Sequence, residues 1–242
     1  MASKTTRICL WSGPRNISTA LMYSFAQRKD TTVFDEPLYG YYLANTDAQE
    51  YHPGAEEVLH SMEQNGEQVI KDMMAFDDSP VVFFKNMTHH LLGLDTSFLK
   101  ECINVLLTRN PMEMLPSFDA VIEQPTMKDV GYDLQADLLD RLESRNIDPI
   151  VLDGTLFLKN PEGVFKQLCS KAAIPFDPNM LQWKAGPRPE DGVWAKYWYK
   201  SVHASTGFVP YKAKEAVFPT RLEALLAECQ PYYDRIVKRA LR

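Results

Sequence analysis

Between Ser12 and Thr19 the chain reads Ser-Gly-Pro-Arg-Asn-Ile-Ser-Thr, where an apolar run from Ile8 to Trp11 gives way to a helix-forming segment from Ala20 to Arg28. A strand that turns directly into a helix makes an anion site. The N–H groups that open the helix have no partner within it, and the helix dipole points its positive end at whatever docks there. Pro14, Arg15, Asn16, Ile17, Ser18 and Thr19 form the candidate loop for a phosphate or sulfate, with a cation at Arg15 and hydroxyl donors at Ser18 and Thr19. The loop is not the nucleotide-binding G-x-x-x-x-G-K-[ST], which would require Gly and Lys where this chain carries Ile17 and Ser18. A polar turn capped by Ser18 is the plainer alternative. A second apolar run, Ile103 to Thr108, leads into Arg109-Asn110-Pro111, with Ser117 eight residues past the arginine. Pro111 is preset for a helix's first turn, Arg109 can grip a phosphate through two N–H donors, and Ser117 falls far enough along to face the same side. An arginine on a solvated helix end would explain that motif alone; two matched motifs in order favour the anion reading.

With these motifs the chain resembles the sulfotransferases that use 3′-phosphoadenosine-5′-phosphosulfate (PAPS) and no metal. The resemblance runs from about residue 7 to 183 and includes a less specific stretch, in which Val151-Leu152-Asp153 ends a strand and Asn160-Pro161-Glu162 opens a helix. It implies that residues 14–19 hold the phosphosulfate and that Arg109 and Ser117 clamp the 3′-phosphate. Sulfuryl transfer moves SO₃ in line between two oxygens, so Arg15 is expected to neutralise charge on the leaving phosphate. Many relatives have lysine there; a guanidinium, with a pKa above about 12, stabilises charge but does not readily give up a proton. The acceptor, a hydroxyl or amine of a small molecule, must lose a proton. Glu36, in Phe34-Asp35-Glu36-Pro37-Leu38-Tyr39, stands where some bacterial carbohydrate sulfotransferases carry a glutamate base. His89, with His90 beside it, follows Lys85-Asn86-Met87-Thr88, a spacing stretched by two from the Lys-x-His of cytosolic sulfotransferases. A histidine near pKa ~6.5 is ready for the task, whereas a glutamate near ~4.3 needs burial to raise it. Glu36 ranks slightly ahead of His89. The structural alternatives are a hydrogen-bonded histidine at a strand end and a Glu36 that caps a helix starting at Pro37. Lys85 is read as a positive wall of the sulfonate pocket.

Positioning these residues requires strands, and the short apolar runs at Arg7–Trp11, Thr32–Asp35, Val81–Lys85, Ile103–Thr108 and Pro149–Leu152 supply five, separated by helical segments. The alternation predicts an α/β fold, one parallel sheet flanked by helices, with ligands at the carboxyl ends of its strands. The resemblance makes that the P-loop NTPase-like sulfotransferase fold, in one domain over residues 1–242. Asp133 to Arg145 reads as a packing helix, and Leu222 to Leu241 as a closing helix broken at Pro231. The aromatic, Gly/Pro-punctuated stretch from Ala185 to Pro219 reads as a lid or ligand wall, with Lys212 and Lys214 as candidate cations.

The chain has 242 residues, 45% hydrophobic and 24% charged, with a formal net charge of −6, which argues against a general nucleic-acid binder. Cys9, Cys102, Cys169 and Cys229 are spread without a C-x-x-C and read as reduced, buried thiols. No charged leader followed by an apolar stretch appears, and no run approaches the ~20 apolar residues of a membrane span. A cytoplasmic protein with no membrane partner is expected. Tyr39, Tyr41, Tyr42, Trp194 and Trp198 point to a small, partly apolar acceptor. Two rivals stand: a P-loop small-molecule kinase, for which Asp35 is the one carboxylate placed to serve Mg²⁺, and a nucleotide-binding module without catalysis, to which the departures at Arg15 and Ile17 point.

Overall fold

In a computed structural model, which describes residues 5–212 and 217–242, the apolar runs become five parallel strands. These are β1 (Thr6–Ser12), β2 (Thr31–Asp35), β3 (Val81–Met87), β4 (Ile103–Thr108) and β5 (Ile150–Asp153), in the spatial order β2-β3-β1-β4-β5. Runs rich in Val, Ile, Leu and Phe suit strands that are covered on both faces. Ile8 and Leu10 of β1 point to one face and pack with Leu21, Met22 and Phe25 of the Ser18–Phe25 helix and Phe165 of the Pro161–Lys171 helix. Cys9 and Trp11 point to the other, toward Val69 of the Gly66–Ala75 helix, Leu138 and Leu142 of the Tyr132–Ser144 helix, and Ile236 of the Glu223–Val237 helix. Each such side chain, fully buried, stabilises the fold by roughly 1.5–3 kcal/mol.

The order places the site. From β1 the chain turns toward one edge of the sheet to form β2, and from β4 toward the other to form β5. The crevice between neighbouring β1 and β4 is therefore the switch point at which ligands of such sheets bind, and the loops carrying Arg15 and Arg109 both open onto it.

Three details differ from expectation. The first helix opens at Ser18 rather than Ala20 and ends at Phe25. The helix Glu223–Val237 runs through Pro231 without a break; Leu225, Cys229 and Ile236, buried on either side of the proline, hold it in place. Glu36 caps nothing, since the next helix starts at Tyr39 and its N-cap is Leu38, with no side-chain capping bond. All four cysteines are free and buried. Among the described residues no helix is long and apolar enough to cross a membrane. Lys212 is exposed, and Lys214 lies outside the described residues.

Candidate active site

The anion half of the site is built by two tight turns. Gly13 passes so close to the Val130 carbonyl that a Cβ there would sit 3.2 Å from the oxygen, and Arg15 takes a left-handed conformation, φ 51°, that is costly for a non-glycine residue and aims it away from the strand. Ile17, not Ser18, is the N-cap of the helix, and the Asn16 side chain accepts from the Ser18 N–H at 3.0 Å. The Ser18 cap is thereby corrected; its hydroxyl is left for other work. Arg15 Nε donates to Ser117 Oγ at 3.2 Å and Nη1 to the Trp198 carbonyl at 3.2 Å. Arg109 Nη1 donates to the Arg15 carbonyl at 3.2 Å, and Nη2 meets Glu113 Oε2 at 3.3 Å. Tyr132 donates to the Arg109 carbonyl at 2.6 Å and fixes that backbone. Burial, then the neighbouring Arg109, lower the pKa of Arg15 from its ordinary value. Of the two guanidinium groups beside this helix N-terminus, Arg109 alone meets a carboxylate, Glu113, and Arg15 has no acidic partner among the described residues. This is an environment short of negative charge, which an anionic group would supply.

The proton-transfer half lies at the ends of β2 and β3. Register sets Asp35 opposite Lys85. Lys85 is wholly buried, with its ammonium 2.8 Å from Asp35 Oδ1, in short contact with Glu36 Oε1, and 2.7 Å from the Tyr199 hydroxyl. Burial alone would lower its pKa, but the two carboxylates outweigh that and raise it. Lys85, read from the sequence as a positive wall of the sulfonate pocket, does line the cavity, but its charge is paired with Asp35 and Glu36. Asp35 is equally committed, holding Lys85, Tyr199 at 2.8 Å from both oxygens, and the Gly192 N–H at 3.2 Å. Mg²⁺ at Asp35 would compete with Lys85, Tyr199 and the Gly192 N–H for the same carboxylate. Glu36 is left-handed, φ 46°, and 6% exposed; burial raises its pKa, against the opposing pull of Lys85. Its second oxygen, Oε2, has no hydrogen-bond partner among the described residues.

His89 and His90 sit in the turn after β3 among Tyr39, Tyr42 and His52. His90 stacks on Tyr39 at 5.1 Å and on Tyr42 at 4.8 Å, and His52 Nδ1 bonds the Tyr39 hydroxyl at 2.9 Å. Burial, reinforced by His52, lowers His89 to about 3, and burial lowers His52 to about 4. Burial and His89 hold His90 well below its usual value too. These imidazoles are neutral near pH 7. The unfolded chain takes up their protons below about pH 6.5 while the folded one resists down to the depressed values, so stability falls with acid through that window. The expected loss is about 1.4 kcal/mol per histidine per pH unit. Urea unfolding at pH 7 and pH 5 should show it, and equal stability at both would contradict the neutral cluster.

A single cavity of about 340 Å³ is lined by Pro14, Arg15, Asn16, Ile17, Ser18, Thr19, Arg109 and Ser117 from the anion half and by Glu36, His89 and His90 from the other. Sequence reasoning missed His52, Tyr199, and the pair Trp183 and Phe208, whose rings meet edge to face at 5.0 Å in the same cavity wall. Of these Tyr199 and Phe208 had a signal, as two of several aromatics in the Ala185–Pro219 stretch.

The sulfotransferase domain family matches residues 6–240. Two Arabidopsis thaliana proteins, branched-chain-amino-acid aminotransferase-like proteins 1 and 2, are 42% and 38% identical over 226 residues, 93% of this chain and 40% of each of those proteins. The chain thus spans about two fifths of the length of those curated relatives. Among solved structures, a sulfotransferase from Alicyclobacillus acidocaldarius aligns with TM-score 0.54 at 12% identity, over 97% of this chain and 95% of that one. The sulfotransferase domain from the curacin biosynthetic pathway aligns with TM-score 0.50 at 15% identity, over 95% and 99%. At such identities the likeness is one of fold.

Proposed function

The chain belongs to the sulfotransferase domain family, and on that premise we propose that it transfers the sulfuryl group of PAPS to a hydroxyl or amine of a small, partly apolar acceptor free in the cytoplasm. The observation that carries this reading is the pair Arg15 and Arg109, of which only Arg109 has a carboxylate partner, at a helix N-terminus in the cavity onto which Glu36 also opens. PAPS fits that surplus of positive charge and, when bound, supplies the sulfuryl group. The chain's own residues do the rest. Arg109 and Ser117 hold the 3′-phosphate; residues 14–19 hold the 5′ end, and Trp183 with Phe208 offers an apolar wall to the base. Arg15 stands against the phosphate oxygens that gain charge as the sulfur departs. Glu36 receives the acceptor's proton on Oε2. The histidines are less suited: a base whose proton affinity has been lowered to about 3 at His89 binds a proton too weakly to draw one from a hydroxyl.

Label transfer tests this directly. Protein incubated in EDTA with ³⁵S-PAPS and a pooled set of small alcohols, phenols and amines should give a labelled organic product; no ³⁵S product, with ³²P passing to the pool from γ-³²P-ATP only when Mg²⁺ is added, would favour the kinase. In the same proposal Arg109→Ala should weaken adenosine 3′,5′-bisphosphate by 1.5–3 kcal/mol, about 10- to 150-fold, because a charged hydrogen-bonding partner is lost. AMP, which has no 3′-phosphate, should bind the variant and the parent protein alike in calorimetric titration.

A further inference from the structure

We infer that Tyr199 is a positioning residue for proton transfer, fixing how Lys85 divides its charge between Asp35 and Glu36; this rests on Glu36 being the base. Tyr199 reaches the site from a segment more than a hundred residues away in sequence, just past the short helix Ala195–Trp198. Its hydroxyl is fully committed. It accepts from Lys85 Nζ at 2.7 Å and from Trp194 Nε1 at 3.1 Å, and donates to Asp35, whose two oxygens both lie 2.8 Å away. Asp35 also takes the Gly192 N–H from the same segment at 3.2 Å. The result is an asymmetric pair of acids. Asp35 is satisfied by donors other than Lys85, whereas Glu36 has Lys85 on Oε1 and nothing on Oε2 among the described residues.

One buried cation faces two carboxylates, so whatever satisfies one acid leaves more of the cation to the other. With the phenol and the Gly192 N–H on Asp35, Lys85 serves Glu36 and keeps it ionised and ready. Without the phenol, Asp35 draws Lys85 to itself, and Glu36 holds its proton more tightly. Tyr39 also faces Glu36, and His90 faces Lys85; Tyr39 is an un-ionised phenol and His90 a neutral imidazole near pH 7, so neither supplies a competing charge. The neighbouring residue adds a second contact: the Trp198 carbonyl accepts from Arg15 Nη1. Two consecutive residues of one segment thereby touch both the donor arginine and the lysine beside the base.

The test follows the Glu36 carboxyl itself and needs no acceptor. In protein labelled with ¹³C at glutamate Cδ, the Glu36 resonance is identified by its loss in Glu36→Gln and titrated in the presence of adenosine 3′,5′-bisphosphate. Tyr199→Phe should move the midpoint up by at least about 0.5 pH unit, and Asp35→Asn, which frees Lys85 for Glu36, should move it down. Trp194→Phe, which strips the indole donor from the phenol, should move it up by less and serves if Tyr199→Phe does not fold. Midpoints that stay within about 0.2 unit of the parent, or that move the same way in Tyr199→Phe and Asp35→Asn, would overturn the role. Failure of the underlying reading shows separately: absent ³⁵S transfer would reject sulfotransfer, and Glu36→Gln retaining turnover would reject Glu36 as the base.

Discussion

Glu36→Gln should lower kcat by roughly 10²–10⁴ while leaving the affinity for adenosine 3′,5′-bisphosphate nearly intact. The amide is isosteric and can still accept from Lys85, so the buried pair with Asp35 survives with one negative charge balancing one positive. What disappears is the oxygen able to receive a proton. Since that transfer occurs in the transition state, the loss appears in turnover rather than in nucleotide binding. His89→Ala and His90→Ala should cost less, because burial has lowered the proton affinity of both imidazoles and a base that binds its proton weakly draws one poorly. Turnover rates and calorimetric titrations on the three variants separate the cases. Near-normal turnover in all three would reject every proposed base, and loss of the nucleotide in Glu36→Gln would make its role structural.

Arg15→Ala should reduce kcat by about 10²–10³, the effect of removing one preorganised group from the place where charge develops. The arginine is held for that work by Ser117 and the Trp198 carbonyl, at 3.2 Å each, and by a left-handed backbone. Arg15→Lys keeps the charge but not the fork, so it should recover most of the rate while losing the Ser117 and Trp198 contacts. Initial-rate measurements on both variants decide the matter. Equal rates for Arg15→Ala and the parent would mean that the leaving phosphate is neutralised by another group.

The sheet was legible because its strands are apolar on both faces. Val81 to Phe84 and Val105 to Leu107 are buried almost completely, and continuous runs of that kind fit few other structures. The loops could be placed because each follows a strand directly. Charge pairing was not legible. The pairing of Lys85 did not show because its partner Asp35 is 50 residues earlier in the chain, and only the β2–β3 register reveals that the two are neighbours. Tyr199 is further still, 114 residues from Lys85; no spacing rule links a loop aromatic to a strand lysine at that distance. Pro231 misled for a different reason: local propensity predicted a break, and packing on both sides of the proline prevented it.

The most direct measurement is a calorimetric titration of the protein with adenosine 3′,5′-bisphosphate and with AMP, both in EDTA. Contacts from Arg109 and Ser117 to a 3′-phosphate predict that the bisphosphate binds at least about 100-fold more tightly than AMP, a difference of about 2.7 kcal/mol. Equal affinity for the two nucleotides, or tight binding of ATP that appears only when Mg²⁺ is added, would contradict a PAPS-dependent sulfotransferase site.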